Sequence, residues 1–389
     1  MLFSTVEFRP ERDAEILAAI PAAPAVFLLR GEDASEPYVS KTANLKRRLE
    51  RLLAPPEDRS RRLNLRQRAR RIEYTLTGSD FESRLLLYRT LRAVFPQTYR
   101  VRLRLRPAPL VRLNLDNPWP RAYVTRRIAR LRGRSVYYGP FPSRAAAEKF
   151  LNDSLDLFKM RRCDFDLNPD PTFPGCIYSE MKMCLAPCFK GCTDEEYVGE
   201  VGRVRAYLDS GGQSLTSELA AERESASTNL EFEAASGIHA RLEKVEAARG
   251  LLPQIAHPLE RVTGVIVQRA AQPGAVALFR LDAGLLSGPI AFSLEQREGK
   301  PVSMEARITE TLAAAPPASS GSAAELMEHL ALLKHWFYRS SRQGEIFLAD
   351  ARGELPLRRL VRGFSRVFRG EPESDFTTEA QRHGEELSH

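Results

Sequence analysis

No apolar run in this sequence approaches the roughly 20 residues that a membrane-spanning helix needs. The first residues, MLFSTVEFRPERDAEIL, lack the positive-then-apolar layout of a secretory signal. Neither a lipidation signal nor an amphipathic aromatic anchor accompanies them. These absences argue against a membrane partner and make a cytoplasmic protein the expectation. Cysteine is missing from all but one stretch: the five cysteines fall together between Cys163 and Cys192, in CDFDLNPDPTFPGCIYSEMKMCLAPCFKGC. An odd count in a chain of 389 residues fits a reducing compartment better than a disulfide framework. Thiolates gathered at short spacings are the soft ligands that zinc and iron–sulfur centres use. Spacing alone does not choose between the two.

Acidic residues are sparse over a long block. The formal net charge is only +8, and 43% hydrophobic with 28% charged residues is ordinary for a soluble protein. From Lys41 to Arg134, however, Arg and Lys greatly outnumber Asp and Glu, with dense stretches in RSRRLNLRQRARR (59–71) and RVRLRLR (100–106). Such a block is the electrostatic footprint of a polyanion ligand, most often nucleic acid. Arg47, Arg61, Arg62, Arg66 and Arg70 are the candidate phosphate contacts.

Periodicity divides the chain. AVFLLR (25–30), PYVS (37–40) and IEYTLT (72–77) read as strands. A helix follows from about Ala43 to Leu53, with Leu45, Leu49 and Leu52 at helical spacing before Pro55 and Pro56. Asp80 is the expected cap of a second helix carrying Leu85, Leu86, Leu87 and Leu91. From Tyr99 to Tyr138 the pattern alternates again. RAAAEKFLNDSLDLF then leads as a helix into the cysteine window, and another helix follows it. Residues 213–249 read as two helices joined near Asn229, with Leu215 and Leu219 on one stripe and Ile238, Leu242 and Val245 on the other. Strands are expected at 262–267, 275–281, 288–294 and 344–350, and helices at 325–339 and 355–368.

Four stretches in order carry a family resemblance. PAVFLL…PYVSKTANLKRRL (24–49) is similar to a GIY-YIG nuclease core, and YYGPFPS (137–143) to a YFGPY element. The cysteine window resembles a C-x7-C-x3-C motif, and LEFEAASGIHARL (230–242) resembles a UVR motif. Together they resemble UvrC, the incision subunit of bacterial nucleotide excision repair, over roughly the N-terminal two-thirds of the chain. The resemblance implies an α/β (α+β) multidomain chain. Its parts would be a GIY-YIG-like domain (1–106), a linker and cysteine-rich cluster domain (107–195) and a helical UVR-like hairpin (196–250). An α/β domain resembling a truncated RNase H-like region (251–369) and a disordered tail (370–389) would follow. It also implies a [4Fe–4S] cluster on Cys163, Cys176, Cys184 and Cys188, with zinc as the alternative and Cys192 left over. DNA would be the substrate, and UvrB the partner of the hairpin through Phe232 and Glu233.

Carrying the nuclease motif over residue by residue gives a mixed result. Tyr38, Lys41 and Arg48 match its tyrosine, lysine and arginine. Phe27 stands where the motif has a tyrosine, and Ser40 where it has a glycine. In LLLYRTL (85–91), Tyr88 stands where it has the metal-binding glutamate, and Arg100 replaces a downstream asparagine. A neutral phenol is a poor ligand for Mg²⁺, which favours carboxylate and water oxygen. Glu82, six residues upstream, would face about 120° aside on an ideal helix. Asp282 and Asp350, the carboxylates available for a second nuclease, read as turn or strand-end residues. The expectation is therefore a DNA-binding UvrC-like protein with a degenerate, inactive nuclease and no complete second one. An active endonuclease nicking DNA near lesions and a cluster-bearing nucleic-acid-binding regulator are the alternatives.

Overall fold

A computed structural model describes residues 2–32, 35–55, 63–131, 133–295, 302–315 and 321–371. Among these the chain is mixed α/β, with three four-stranded antiparallel sheets and 12 helices. The greater part of the expected C-terminal tail, residues 372–389, lies outside the described residues.

The first sheet holds β1 (Ser4–Glu7), β2 (Ala25–Arg30), β3 (Tyr38–Thr42) and β4 (Arg71–Leu76) in the order β1-β4-β2-β3. Side chains alternate across a strand, so Ala25, Phe27 and Leu29 enter one core with Leu45, Leu49 and Leu52. Those leucines belong to α2 (Leu45–Leu53), capped by Asn44, whose side chain accepts the Arg47 N–H at 2.9 Å. A short helix, α1 (Asp13–Ala18), closes the same face.

The opposite face meets α3 (Asp80–Val94) and α4 (Tyr99–Leu103). The cap of α3 is Ser79 rather than Asp80: the Ser79 hydroxyl accepts the Glu82 N–H at 3.1 Å. Asp80 occupies the first turn, where its charge suits the helix dipole. Phe81, Leu85, Tyr88 and Leu91 of α3 are buried together with Phe279, Leu330 and Trp336 of the C-terminal part of the chain. Phe81 meets Phe279 edge-on at 5.0 Å. The turn before α3 is equally close: a Cβ on Gly78 would run into the Arg269 carbonyl, so only glycine fits there.

The middle sheet, ordered β6-β5-β7-β8, comprises β5 (Leu110–Asn114), β6 (Arg121–Thr125), β7 (Val136–Gly139) and β8 (His257–Pro258). It shares a core with α5 (Arg144–Leu155), α7 (Asp194–Asp209), α8 (Gln213–Thr228) and α9 (Phe232–Gly250). The cysteine window, with one short helix α6 (Ile177–Glu180), runs between α5 and α7. Leu215, Leu219 and Val245 are buried there, so the helical hairpin leans on this core as its apolar stripes predict.

The third sheet, ordered β11-β10-β9-β12, comprises β9 (Gly264–Arg269), β10 (Ala275–Asp282), β11 (Leu285–Ser293) and β12 (Glu345–Leu348). The β10–β11 hairpin turns at Ala283-Gly284, both at positive φ. α10 (Met304–Ala314) and α12 (Leu357–Arg369) cover one face of this sheet, and α11 (Ala323–Phe337) covers the other, between the sheet and α3.

Buried polar groups stitch α3 to α11. The Glu328 carboxylate, 5% exposed, accepts from Tyr88 Oη at 2.8 Å, Tyr99 Oη at 2.7 Å and Arg100 Nε at 2.6 Å. Arg92 donates to Tyr88 Oη and to Glu325. Next to this network His329 Nδ1 accepts the Leu286 N–H at 3.0 Å. Burial pushes the His329 imidazole down to about 4, against Glu325 and Glu328, which favour its charge, and with Arg89 and Arg92, which oppose it. A depressed histidine supports the fold fully above its unfolded value of 6.5 and loses that support as pH falls toward 4. His329→Gln should therefore flatten the loss of stability between pH 7 and pH 4.5 by about 2–3 kcal/mol in denaturant melts. An unchanged pH profile in the variant would contradict this.

Candidate functional site

The residues carrying the nuclease-like motif divide between the two faces of the first sheet. Tyr38 and Arg48 meet on the α2 side, where Arg48 Nη2 donates to Tyr38 Oη at 2.9 Å. Phe27 lies against Tyr38 with ring centroids 6.0 Å apart. Lys41 lies on β3 rather than on α2 with Arg48. Three residues after Tyr38 on β3, it leaves the opposite face and pairs with Asp80 at the start of α3. Ser40 donates to the Lys41 carbonyl at 3.3 Å.

Asp80 is the carboxylate that sequence reasoning passed over as a helix cap. It pairs with Lys41, with Arg339 at 2.7 Å and with Arg84 at 3.9 Å. Burial raises its pKa, but Lys41, Arg84 and Arg339 together hold it below the usual carboxylate value. Tyr88 points elsewhere: it is buried on α11 with its hydroxyl on Glu328, and burial followed by that bond raises its pKa. Arg100, the other substituted motif position, donates to the same Glu328. Glu82 is also buried, its Oε2 accepting the Gly78 N–H at 2.8 Å, and desolvation raises its pKa. Asp350 accepts the Arg352 and Glu354 N–H groups as a turn residue, and Asp282 accepts from Arg280.

In the cysteine window the thiols lie within electrostatic reach of one another. Burial, opposed by the Ala186 N–H and reinforced by Cys163, Cys188 and Cys176, pushes the Cys184 thiol up to about 11. Cys188 is raised by burial and then by Cys176 and Cys163. Cys192 is raised by burial and then by Glu196 and Asp194. Two sulfurs already accept hydrogen bonds at 3.3 Å, Cys184 from the Ala186 N–H and Cys163 from Arg161 Nη1. Arg161 is itself almost fully buried, and its Nη2 has no partner. N–H donors to sulfur are the surroundings that a thiolate-ligated centre uses, and Cys184 and Cys163 have them. Among the described residues no group of three or more His, Cys, Asp or Glu side chains is gathered to hold a single metal ion.

Residues 108–207, which run from β5 through the cysteines into α7, match the UvrC/Cho excinuclease middle domain. The likeness is to the UvrC family. The chain is similar to UvrABC system protein C of Carboxydothermus hydrogenoformans, 29% identical over 274 residues, covering 69% of this chain and 44% of that protein. The UvrABC system protein C of Ectopseudomonas mendocina is 32% identical over 221 residues, covering 57% and 36%. That of Idiomarina loihiensis is 30% identical over 213 residues, covering 55% and 34%. The chain thus spans less than half the length of these UvrC relatives. No solved structure gives a significant match.

The other candidates fall into place unevenly. Arg47 is exposed on α2. Arg66 is enclosed, bonded to Asp13 and to the Leu53 and Pro10 carbonyls, and Arg70 to Glu32 and the Gln67 and Ala69 carbonyls. Both guanidiniums are thus bonded to other groups of the chain. Arg61 and Arg62 lie outside the described residues. Among the described residues no helix is long and apolar enough to cross a membrane. At the tip of the hairpin Leu230 and Phe232 are 70% and 68% exposed, and Glu233 is exposed beside them. Val245, on the same helix as Phe232, is 0% exposed. Phe232→Ala should leave stability within about 0.5 kcal/mol of wild type, whereas Val245→Ala should cost about 2 kcal/mol. Denaturant melts giving equal costs would refute the assignment of the two faces.

Proposed function

We propose that this UvrC-like chain is a DNA-binding protein of nucleotide excision repair whose N-terminal nuclease-like unit does not cleave DNA. The observation that carries the reading is Tyr88: the group at the metal-carboxylate position is a buried phenol bonded to Glu328. Asp80, the carboxylate nearest Lys41, is surrounded by three cations that compete with any divalent metal. The relatives are proteins of the UvrABC system, which supports the repair setting.

In this reading Cys163, Cys176, Cys184 and Cys188 hold a [4Fe–4S] cluster, and Cys192 remains a spare thiol. Burial raises the Cys184 and Cys188 thiols, so ligation would supply the stabilisation that keeps them deprotonated. Such a centre would cross-link a loop-rich segment and supply no step of a reaction. The exposed Leu230–Phe232 tip, with Glu233 beside it, is the docking point for UvrB.

Purified anaerobically, the chain should carry iron and a broad absorption band in the visible blue that is lost in Cys184→Ala. It should bind lesion-containing duplex yet leave it unnicked in Mg²⁺, with or without UvrB. Phe232→Ala should weaken UvrB capture by about tenfold, the loss of one well-placed anchor. Tyr88→Glu should not restore nicking, because it sets a second carboxylate against Glu328 and should instead destabilise the chain. Mg²⁺-dependent nicking by the wild-type protein, abolished by Arg48→Met, would sink the proposal.

A further inference from the structure

Besides the basic residues singled out in the sequence, the structure gathers positive charge from several separate segments of the chain. Arg66 and Arg70 are consumed by the fold. A different group gathers along the C-terminal half of α11, where the first sheet, α3, the middle sheet and the C-terminal part of the chain adjoin. Lys41 of β3, Arg84 of α3 and Arg339 just beyond α11 surround the single carboxylate of Asp80. One turn back on α11, Lys334 lies within electrostatic reach of Arg126, in the loop after β6, and of Arg106, after α4.

Charge along this seam is not balanced. Burial first, and then Arg126 and Arg106, hold the Lys334 ammonium below its usual value, and no carboxylate among the described residues acts on it. Burial and then Arg84 and Arg339 lower His335, with Asp80 opposing them. The Arg84 Nε is buried without a hydrogen-bond partner. Arg106, Arg126 and Arg339 are exposed. Cations held together at a cost in mutual repulsion, with unsatisfied donors and one acid among them, form a binding surface for a multivalent anion. Their distribution over five separate segments suits an extended, evenly charged ligand better than a small one.

We propose that Lys41, Arg84, Arg339, Lys334, Arg126 and Arg106 form a seam that binds the sugar–phosphate backbone of duplex DNA across the junction. Asp80 acts as its charge brake. The seam rests on the reading of the chain as a DNA-binding protein and adds where the backbone lies. It contacts phosphates only, so it sets affinity and register without selecting sequence.

The test is anisotropy of a fluorescent duplex of random sequence, titrated with full-length protein over a salt series. Arg106→Gln/Arg126→Gln/Lys334→Gln should weaken binding at least tenfold and lower the slope of log K against log salt by about two to three units. Asp80→Asn should act in the opposite direction, tightening binding and steepening the slope. Arg47→Gln, on the far side of the first sheet, should change the slope by less than either. If the triple variant binds with the wild-type slope while the wild type binds DNA steeply, the seam is wrong and the DNA-binding reading survives. If the wild type shows no salt-dependent DNA binding, both fall. Should the triple variant melt early, Asp80→Asn decides alone, and unchanged binding overturns the seam.

Discussion

The Glu328 carboxylate is the constraint on which the arrangement of this chain depends. It is buried, so it must be paired or it would cost several kcal/mol. Its partners come from α3 and α4, while Glu328 itself rides on α11. Satisfying one acid therefore fixes the first sheet's helices against the C-terminal sheet. Around it the apolar contacts of Phe81, Leu85 and Leu91 with Phe279, Leu330 and Trp336 supply the bulk of the burial. The acid specifies where they register. Two of its donors, Tyr88 and Arg100, stand where a nuclease-like motif has other residues, so the departures are tied to a common structural role.

That junction also explains why the charged groups lie as they do. Once α3 is seated on α11, its first turn brings Asp80 and Arg84 up to Lys41 and Arg339. The seam is a consequence of the packing. The cysteine window stands apart from it, following α5 and preceding α7 in the stretch that matches the UvrC/Cho middle domain, and the helical hairpin leans on that same core. The chain thus keeps three features apart: a basic junction, a thiol-rich segment and an exposed helical tip.

Much of the fold was legible in the residues. AVFLLR and IEYTLT announced β2 and β4 through β-branched and alternating apolar positions, and Leu45, Leu49 and Leu52 announced α2. The hairpin of α8 and α9 followed from its stripes. Failures have physical causes. RVRLRLR alternates like a strand, yet Tyr99–Leu103 winds into α4 because Tyr99 reaches Glu328, more than two hundred residues away in sequence. β1 is a short edge strand that buries little, so its pattern is weak. The site was less legible than the fold. Local spacing identified Tyr38 and Arg48 but not that β3 turns Lys41 to the other face, toward Asp80. Arginine density pointed to Arg66 and Arg70, which carbonyls and carboxylates consume. The cations around Asp80 and Lys334 come from segments far apart in the chain, and no single window contains them.

The central claim is that Tyr88 serves as a strut to Glu328. A double-mutant cycle with Tyr88→Phe, Glu328→Gln and the pair, followed by denaturant unfolding, tests it most directly. The account predicts a coupling energy of at least about 1 kcal/mol, as expected for residues sharing one buried network. Additivity within about 0.3 kcal/mol would contradict it and return Tyr88 to an ordinary core residue.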